Sequence, residues 1–451
     1  MIDLVDAIEQ RNAQGIAAAI GRLITAGDLP VGTRLPTVRE LAKELGVSPT
    51  TVSEAWRTLT AVGAIEPQGR NGTFVRQVPA PGAGQRYRRV TEGPGHFALD
   101  LSTGTPDPVL LPDLGPTVAG LGAQTLTSSY LDPPVLPELE AALRETWPFA
   151  PESLTVVDGA MDAIDRIAQV VVRLGDRVVV EHPTFPPVLD LLDQLGAEVI
   201  GVDIDDEGIS LQGLEAALAQ QPSMVFLQPR AQNPTGATTS PRRAKAVAAL
   251  LRRSSAVVVE DDHIGDIATA APVSVGRWLP ERTVHVRSFS KSHGPDLRLA
   301  AVGGAGDVVD ALATRRLLGP GWSSRILQAV LLAMLRDPTT IEQVATARST
   351  YADRQATFHQ ALAEHGIASR PADGINHWVP VLDERSTAIA LAAQGIGVAP
   401  GAPFLVRPDT ADHRDHVRVT IGLVSDPGAI ATLAAQIADA DRTATQRPGR
   451  R

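Results

Sequence analysis

The stretch "VRSFSKSHGPDLRL", Val286 to Leu299, sets Lys291 among serines and seven residues before Arg298. The chain has 41 Lys plus Arg, and only Lys43, Lys245 and Lys291 are lysine. A surface charge is served by either cation. Only a lysine amine can lose its proton and condense with an aldehyde. A lysine at a strand end, near buried serines, has its pKa lowered by desolvation. Ser288, Ser290 and Arg298 add two hydroxyls and a bidentate guanidinium, a set suited to a phosphate.

Four other stretches carry compatible chemistry. "VVVEDDH", Val257 to His263, ends a strand-like run with acids, and a carboxylate there can pair with a protonated pyridine nitrogen. "AQNPTGA" places Asn233 before Pro234, which restricts it to extended or turn conformations, and its amide can donate to a phenolate oxygen. "VVDGAMDAIDRIAQVV" starts a helix at Gly159-Ala160-Met161, where free N–H groups and the helix dipole seat a phosphate. No GK[ST] follows, so this is not a Walker loop. "EHPTFPP" puts Phe185 past another strand, where its ring can stack on a planar group.

These stretches need a common scaffold. Between about 150 and 305, β-branched runs such as "RVVVEHP", "MVFLQP", "AVVVEDD", "TVHVRS" and "LAAVGG" alternate with segments of helical period. The pattern predicts an α/β fold with a mainly parallel, doubly wound sheet, whose ligands lie beyond the carboxyl ends of the strands. After about 320 the sequence is helix-rich with late strands, "HWVPVL" and "DHVRVTIG", which predicts a smaller α+β domain.

The amino-terminal part is different. In "TRLPTVRELAKELGVSPTTVSEAWRTL" Thr37 can cap a helix carrying Arg39, Leu41, Ala42 and Leu45. A turn at Gly46-Val47-Ser48 follows, and Ser48 caps a second helix that begins at Pro49. Val52, Ala55, Trp56 and Leu59 form its buried stripe, leaving Thr50, Thr51, Ser53 and Arg57 outside. "AIEPQGRNGTFV" then reads as a wing of two strands with Arg70 at its tip. A recognition helix reads bases with its first residues, and small hydroxyls suit both bases and phosphates.

Bulk properties bound the function. The net charge is −10, yet residues 1–95 carry +2 and the remainder −12, so DNA binding is expected of the head alone. There is no cysteine and no paired-histidine motif, so no metal site is expected. No leader-like segment and no apolar run of spanning length is seen, and a cytoplasmic location is expected. Residues 77–96, rich in Pro, Gly and Ala, read as a flexible linker with a basic knot of Arg86, Arg88 and Arg89. The tail "DRTATQRPGRR" is expected to fray. The expected units are a head, 1–76, the linker, and a body, 97–445, with its large domain at about 150–320 and its small domain mainly at 321–445.

Two resemblances gather these motifs. Residues 12–76 resemble the winged helix-turn-helix domain of GntR-family bacterial regulators. This implies DNA contacts from Arg34, Arg39, Ser48, Thr50, Thr51 and Arg70. The order GAM, HPTF, NPTG, EDD, SxSK and Arg, over 97–440, resembles fold-type-I pyridoxal phosphate enzymes of the class I aminotransferase group. The fusion resembles the MocR regulators. The resemblance implies pyridoxal 5'-phosphate on Lys291, Asp261 at the pyridine nitrogen (with Asp262 beside it), Asn233 at the phenolic oxygen and Phe185 on the ring. Gly159, Ala160, Met161, Ser288, Ser290 and Arg298 would hold the phosphate. Tyr130 would reach the phosphate of the other subunit in a homodimer, and Arg418 would bind a ligand carboxylate. Partners implied are double-stranded operator DNA and an amino compound or pyridoxal phosphate as effector. A working aminotransferase that keeps a DNA-binding head is the alternative.

Two positions depart from the family pattern. His263 stands where the family has a tyrosine that bonds the phenolic oxygen. A histidine can donate there too, and its titration near 6.5 is expected to add a pH dependence. Asp296 replaces a glycine in Pro295-Asp296-Leu297-Arg298, where a left-handed turn is expected.

Overall fold

The structure, a computed structural model, describes residues 4–8, 10–26, 28–61, 65–75, 86, 97–120, 129–407 and 415–445. Of the predicted linker only Arg86 is among them. Arg88, Arg89 and the tail beyond 445 lie outside the described residues.

In the head, the helix Val38–Leu45 opens with a capping box. Thr37 Oγ1 accepts from the Glu40 N–H and the Glu40 carboxylate accepts from the Thr37 N–H. The next helix, Pro49–Ala61, buries Val52, Ala55, Trp56 and Leu59 against Ile16, Ile20, Leu41 and Leu45. The wing is three-stranded, because Arg34–Leu35 pairs antiparallel with Thr73–Val75, which also pairs with Ile65–Pro67.

The body is organised on one eight-stranded sheet. In chain order its strands are β1 (Ser153–Val157), β2 (Arg177–His182), β3 (Glu198–Asp205), β4 (Gly208–Ile209), β5 (Met224–Leu227), β6 (Val257–Asp262), β7 (Thr283–Ser288) and β8 (Ala300–Gly304). Their spatial order is β1-β8-β7-β6-β5-β2-β3-β4. Strands β7, β6, β5, β2 and β3 are mutually parallel, and helices such as Ala160–Val171 and Pro241–Leu251 cover the sheet. Strand β8 is an exception within the mainly parallel sheet. It runs antiparallel to β7 and β1. The connection 289–299 holds only a 3₁₀ turn, Pro295–Leu297, and is too short for a helical crossover, so the chain returns antiparallel.

A second core gathers the late strands. His377–Val381 pairs with Asp415–Val419, which pairs with Ala399–Pro400. The helices Pro338–Glu364, Glu384–Ala392 and Pro427–Thr445 pack against them around Phe358, Val379, Val417 and Leu433. The first strand after the linker, Leu99–Asp100, joins this core by pairing with Ile396–Gly397. Among the described residues no helix is long and apolar enough to cross a membrane, and no cluster of metal-ligating side chains occurs.

Candidate functional site

Strands β6 and β7 lie side by side, with Asp261 opposite Val286 and Asp262 opposite Arg287. The segments leaving their carboxyl ends therefore start as neighbours, and they bring His263 and Lys291 together. Lys291 Nζ is 3.1 Å from His263 Nδ1 and 3.4 Å from the His263 carbonyl. His263 Nε2 is 2.9 Å from the Ala231 carbonyl. A carbonyl only accepts, so Nε2 carries the ring proton and Nδ1 accepts from the lysine. Burial pushes the His263 pKa down to about 3, and the Lys291 charge acts in the same direction. The ring is neutral at neutral pH. The expected titration near 6.5 is thus overturned by burial, and the expected donation into the site is directed at Ala231 instead. Burial also lowers Lys291, to about 8, against the opposing pull of Asp261.

The neighbouring acids have opposite fates, because successive side chains of a strand leave on opposite faces. Asp262 is buried in an ion pair with Arg230, which approaches with both Nε and Nη2. Burial would raise its pKa, but Arg230 and His285 hold it low. Asp261 Oδ2 accepts from Gln228 Nε2 at 2.8 Å. Its Oδ1 is buried and has no hydrogen-bond partner among the described residues. Burial raises Asp261 to about 6, although the Gln228 bond and the Lys291 charge oppose it. A buried carboxylate oxygen without a donor is costly, and it suits a ligand that brings an N–H.

A cavity of about 80 Å³ is lined by Lys291, His263, Asn233, Phe185 and Arg418. Thr103, Gly104, Pro186, Gln228 and Phe404 complete its wall. Buried Arg418 donates to Asn233 Oδ1 at 3.2 Å and to the Ser102 carbonyl, with its guanidinium over the Phe404 ring.

The register also explains how the predicted phosphate-binding residues come to one edge. Ser288 lies opposite Ala300, which lies opposite Val157, so the turns after β7 and β1 leave the same sheet edge. One turn carries Ser290, Lys291 and Arg298. The other carries Gly159, the N-cap of the helix that begins Ala160-Met161. Gly159 has φ +106, which favours glycine, and a Cβ there would sit 3.0 Å from Arg298 Nη2, so the Arg298 side chain packs close over it. Arg298 itself takes the left-handed conformation, φ 47, whereas Asp296 sits within the 3₁₀ turn Pro295–Leu297. The expected left-handed aspartate is thus corrected. Nearby acids are neutralised: Arg316 pairs with Asp158 and Asp162, each at 3.1 Å. Ser288 is buried, and its Oγ accepts from the Ser290 N–H at 3.3 Å. Tyr130 does not line the cavity. It is 90% exposed and stacks on Trp322 with centroids 6.0 Å apart.

In the head, Arg39, Arg34 and Thr50 are exposed. The Arg34 side chain lies across Gly72 of the wing, where a Cβ would come 2.8 Å from its Nε. Ser48 and Thr51 are engaged with each other. Their hydroxyls are 2.8 Å apart, and Ser48 Oγ accepts from the Thr51 N–H. Arg70 falls in the wing's 3₁₀ turn Gly69–Asn71.

Sequence reasoning passed over Gln228, Arg230, Thr103, Gly104 and Phe404. Gln228 bonds Asp261 with its amide N–H and accepts the Asn233 N–H at 3.0 Å. Its own N–H is held by Glu181, a carboxyl that burial raises to about 8. One signal was available: Gln228 and Arg230 directly succeed a strand whose neighbours all end in site residues.

Comparison with known proteins gives two family matches. "Aminotransferase class I and II" matches residues 98–437, and "Bacterial regulatory proteins, gntR family" matches residues 12–75. The vitamin B6 salvage pathway transcriptional repressor PtsJ of Salmonella typhimurium is 38% identical over 443 residues, covering 95% of this chain and 98% of that protein. The HTH-type transcriptional regulator TauR of Rhodobacter capsulatus is 27% identical, covering 91% and 93%. The crystal structure of LysN, an alpha-aminoadipate aminotransferase of Thermus thermophilus, aligns with a TM-score of 0.70. It is 21% identical and covers 79% of this chain and 94% of its own, a likeness of fold.

Proposed function

The chain belongs to the class I and II aminotransferase family and carries a gntR-family head, as PtsJ-type regulators do, and from this premise we propose that it is a DNA-binding transcriptional regulator whose body senses pyridoxal phosphate. One observation carries the reading. A helix-turn-helix with exposed Arg39 and Thr50 shares a chain with a half-buried lysine amine close to a carboxylate oxygen that lacks a donor.

The residues fit the group. When bound, it supplies an aldehyde for a lysine amine and a pyridine ring that withdraws electrons. Lys291 would offer the amine. Asp261 Oδ1 would accept the ring N–H, which would satisfy the buried oxygen. Asp262 is already committed to Arg230, which favours Asp261 for this role. Phe185 would pack on the ring, and Asn233 and His263 would flank it. The helix start Gly159-Ala160-Met161, with Ser288, Ser290 and Arg298, would hold the phosphate. Arg418 would meet a carboxylate if the ligand is an amino compound.

The regulator would act as a homodimer in the cytoplasm. Tyr130 and Leu131 are 90% and 94% exposed, as expected of a surface that a second subunit covers. In the head, Arg34, Arg39 and Thr50 would contact operator DNA, with Arg70 at the wing tip. Ser48 and Thr51 would chiefly hold the recognition helix.

The test is an operator-binding titration of cofactor-free protein against added pyridoxal phosphate. The midpoint of DNA binding is expected to shift for wild type and to stay fixed for Lys291→Ala. A wild-type midpoint that ignores the ligand would refute the sensor reading. The alternative, a working aminotransferase, draws on the same lysine and carboxylate. Turnover of about 1 s⁻¹ or more with amino acid and 2-oxo acid pairs, in the usual enzyme range, would decide for it.

A further inference from the structure

We propose that His263 is a positioning residue for Lys291: its Nδ1 lone pair accepts an Nζ–H and holds the amine at the cavity, while its Nε2–H is committed to the Ala231 carbonyl. The inference rests on the reading of Lys291 as the amine that captures an aldehyde.

Three observations converge on it. The two contacts of the ring, 2.9 Å to Ala231 and 3.1 Å to Lys291, leave neither nitrogen over. They also fix the tautomer without reference to solvent, since Ala231 can only accept. The anchor is itself held, because Ala231 lies in the buried turn that carries Asn233, and its N–H donates to Thr238 Oγ1 at 3.1 Å. A swing of the ring would therefore break two hydrogen bonds in a buried place, where unpaired polar groups are expensive.

Burial keeps the ring neutral, helped by the cations of Lys291 and Arg230 and opposed by Asp262. Asp261 and Asp262 approach from β6 and Arg230 from the turn after β5. Lys291 comes from the turn after β7 and Arg418 from the strand Asp415–Val419. Burial outweighs the acids at His263, so the imidazole accepts a hydrogen bond without taking a proton. A neutral acceptor has two separable effects on an amine. It orients the nitrogen lone pair, which speeds attack on an aldehyde carbon; as C=N replaces C=O, the aldehyde oxygen leaves as water with the two amine hydrogens. It also bonds the ammonium form, which keeps the lysine pKa from falling further under burial. Removing the acceptor should therefore change rate and pKa independently.

The experiment is pyridoxal phosphate loading onto cofactor-free protein, followed by visible absorbance and by borohydride fixation, across pH 6–10. For wild type the rate is expected to rise with pH through about 8, the Lys291 value, and then level off. His263→Phe keeps a flat ring but no acceptor. Its high-pH plateau, where amine and imidazole are both neutral, is expected to fall about fivefold, the size of one hydrogen bond between neutral groups, and its midpoint to move to lower pH. His263→Asn restores an acceptor at the same position and is expected to recover most of the plateau. A plateau and midpoint in His263→Phe equal to wild type would overturn the proposal, as would an imidazole NMR signal of His263 titrating between pH 5 and 8. Should His263→Phe lose its fold by circular dichroism, the Asn variant and the NMR titration still decide. If wild type itself fails to load, the parent reading of Lys291 falls instead, which is a distinguishable result.

Discussion

On the helix Pro49–Ala61, Thr50 and Arg57 are exposed, and the side chains that touch the core are apolar. Around the cavity the arrangement is inverted. Asn233, Gln228, Asp261, His263 and Arg418 are buried, and nearly all are held by one another. The head keeps its polar groups for a partner with a repeating charge, where each contact is worth little and many are used. The body fixes its polar groups against one another, at the cost of burying them. The lesson is that a substitution in the head should be felt mainly in binding, whereas one in the body should be felt first in stability or in attachment of the ligand.

Four measurements can break or sharpen that contrast. The largest effect is expected from Lys291→Ala. Borohydride should then fix no pyridoxal phosphate to the chain, while operator binding without the ligand stays at the wild-type level. Label recovered on Lys245 would contradict the assignment of Lys291 as the reacting amine. Next is Arg230→Ala, which strands the buried Asp262 carboxylate. Breaking such a pair costs about 3–5 kcal/mol, and urea unfolding of the body should report it, with the head's DNA affinity unchanged. A loss below about 1 kcal/mol would mean that the pair is wet or easily replaced.

Smaller effects belong to the head. Arg39→Ala should weaken operator binding roughly tenfold, as for one hydrogen bond to a charged group. It should also lower the salt slope by about 1 for each head, and leave loading of the body untouched. An unchanged salt series would show that Arg39 faces away from the DNA. The smallest is Ser48→Ala. Loss of the helix cap should cost about 1 kcal/mol of head stability, seen by thermal melting, with a sequence-independent loss of affinity. A change in base preference instead would make Ser48 a reader of bases.

Much of the architecture was legible because local chemistry and tertiary role coincide. The capping box at Thr37 and the stripe Val52, Ala55, Trp56, Leu59 follow from spacing alone. So does the clustering of Phe185, Asn233, His263 and Lys291, since parallel strands deliver the residues beyond their carboxyl ends to one edge. The hidden part depends on neighbours distant in the chain. Nothing in "FLQPRAQ" says that the Gln228 amide meets Asp261, or that Arg230 claims Asp262. The neutrality of His263 comes from burial, which a motif does not report. The direction of β8 was readable in principle from the short connection 289–299, but a β-branched run carries no sign of its direction.

The segment after the linker has a consequence for signalling. Leu99 and Leu101 donate to the carbonyls of Gly395 and Gly397, and Gly104 donates to Thr420. Two residues of the same segment, Thr103 and Gly104, face the cavity, and the Ser102 carbonyl holds Arg418. The strand begins at Leu99, directly after the predicted linker, so the cord that bears the head is knotted into the wall of the chamber it reports on. The five residues from Leu99 to Thr103 can span at most about 17 Å, which is the whole wiring between chamber and cord. A message over that distance needs no relay through the core: a displacement of the wall is already a displacement of the cord's root.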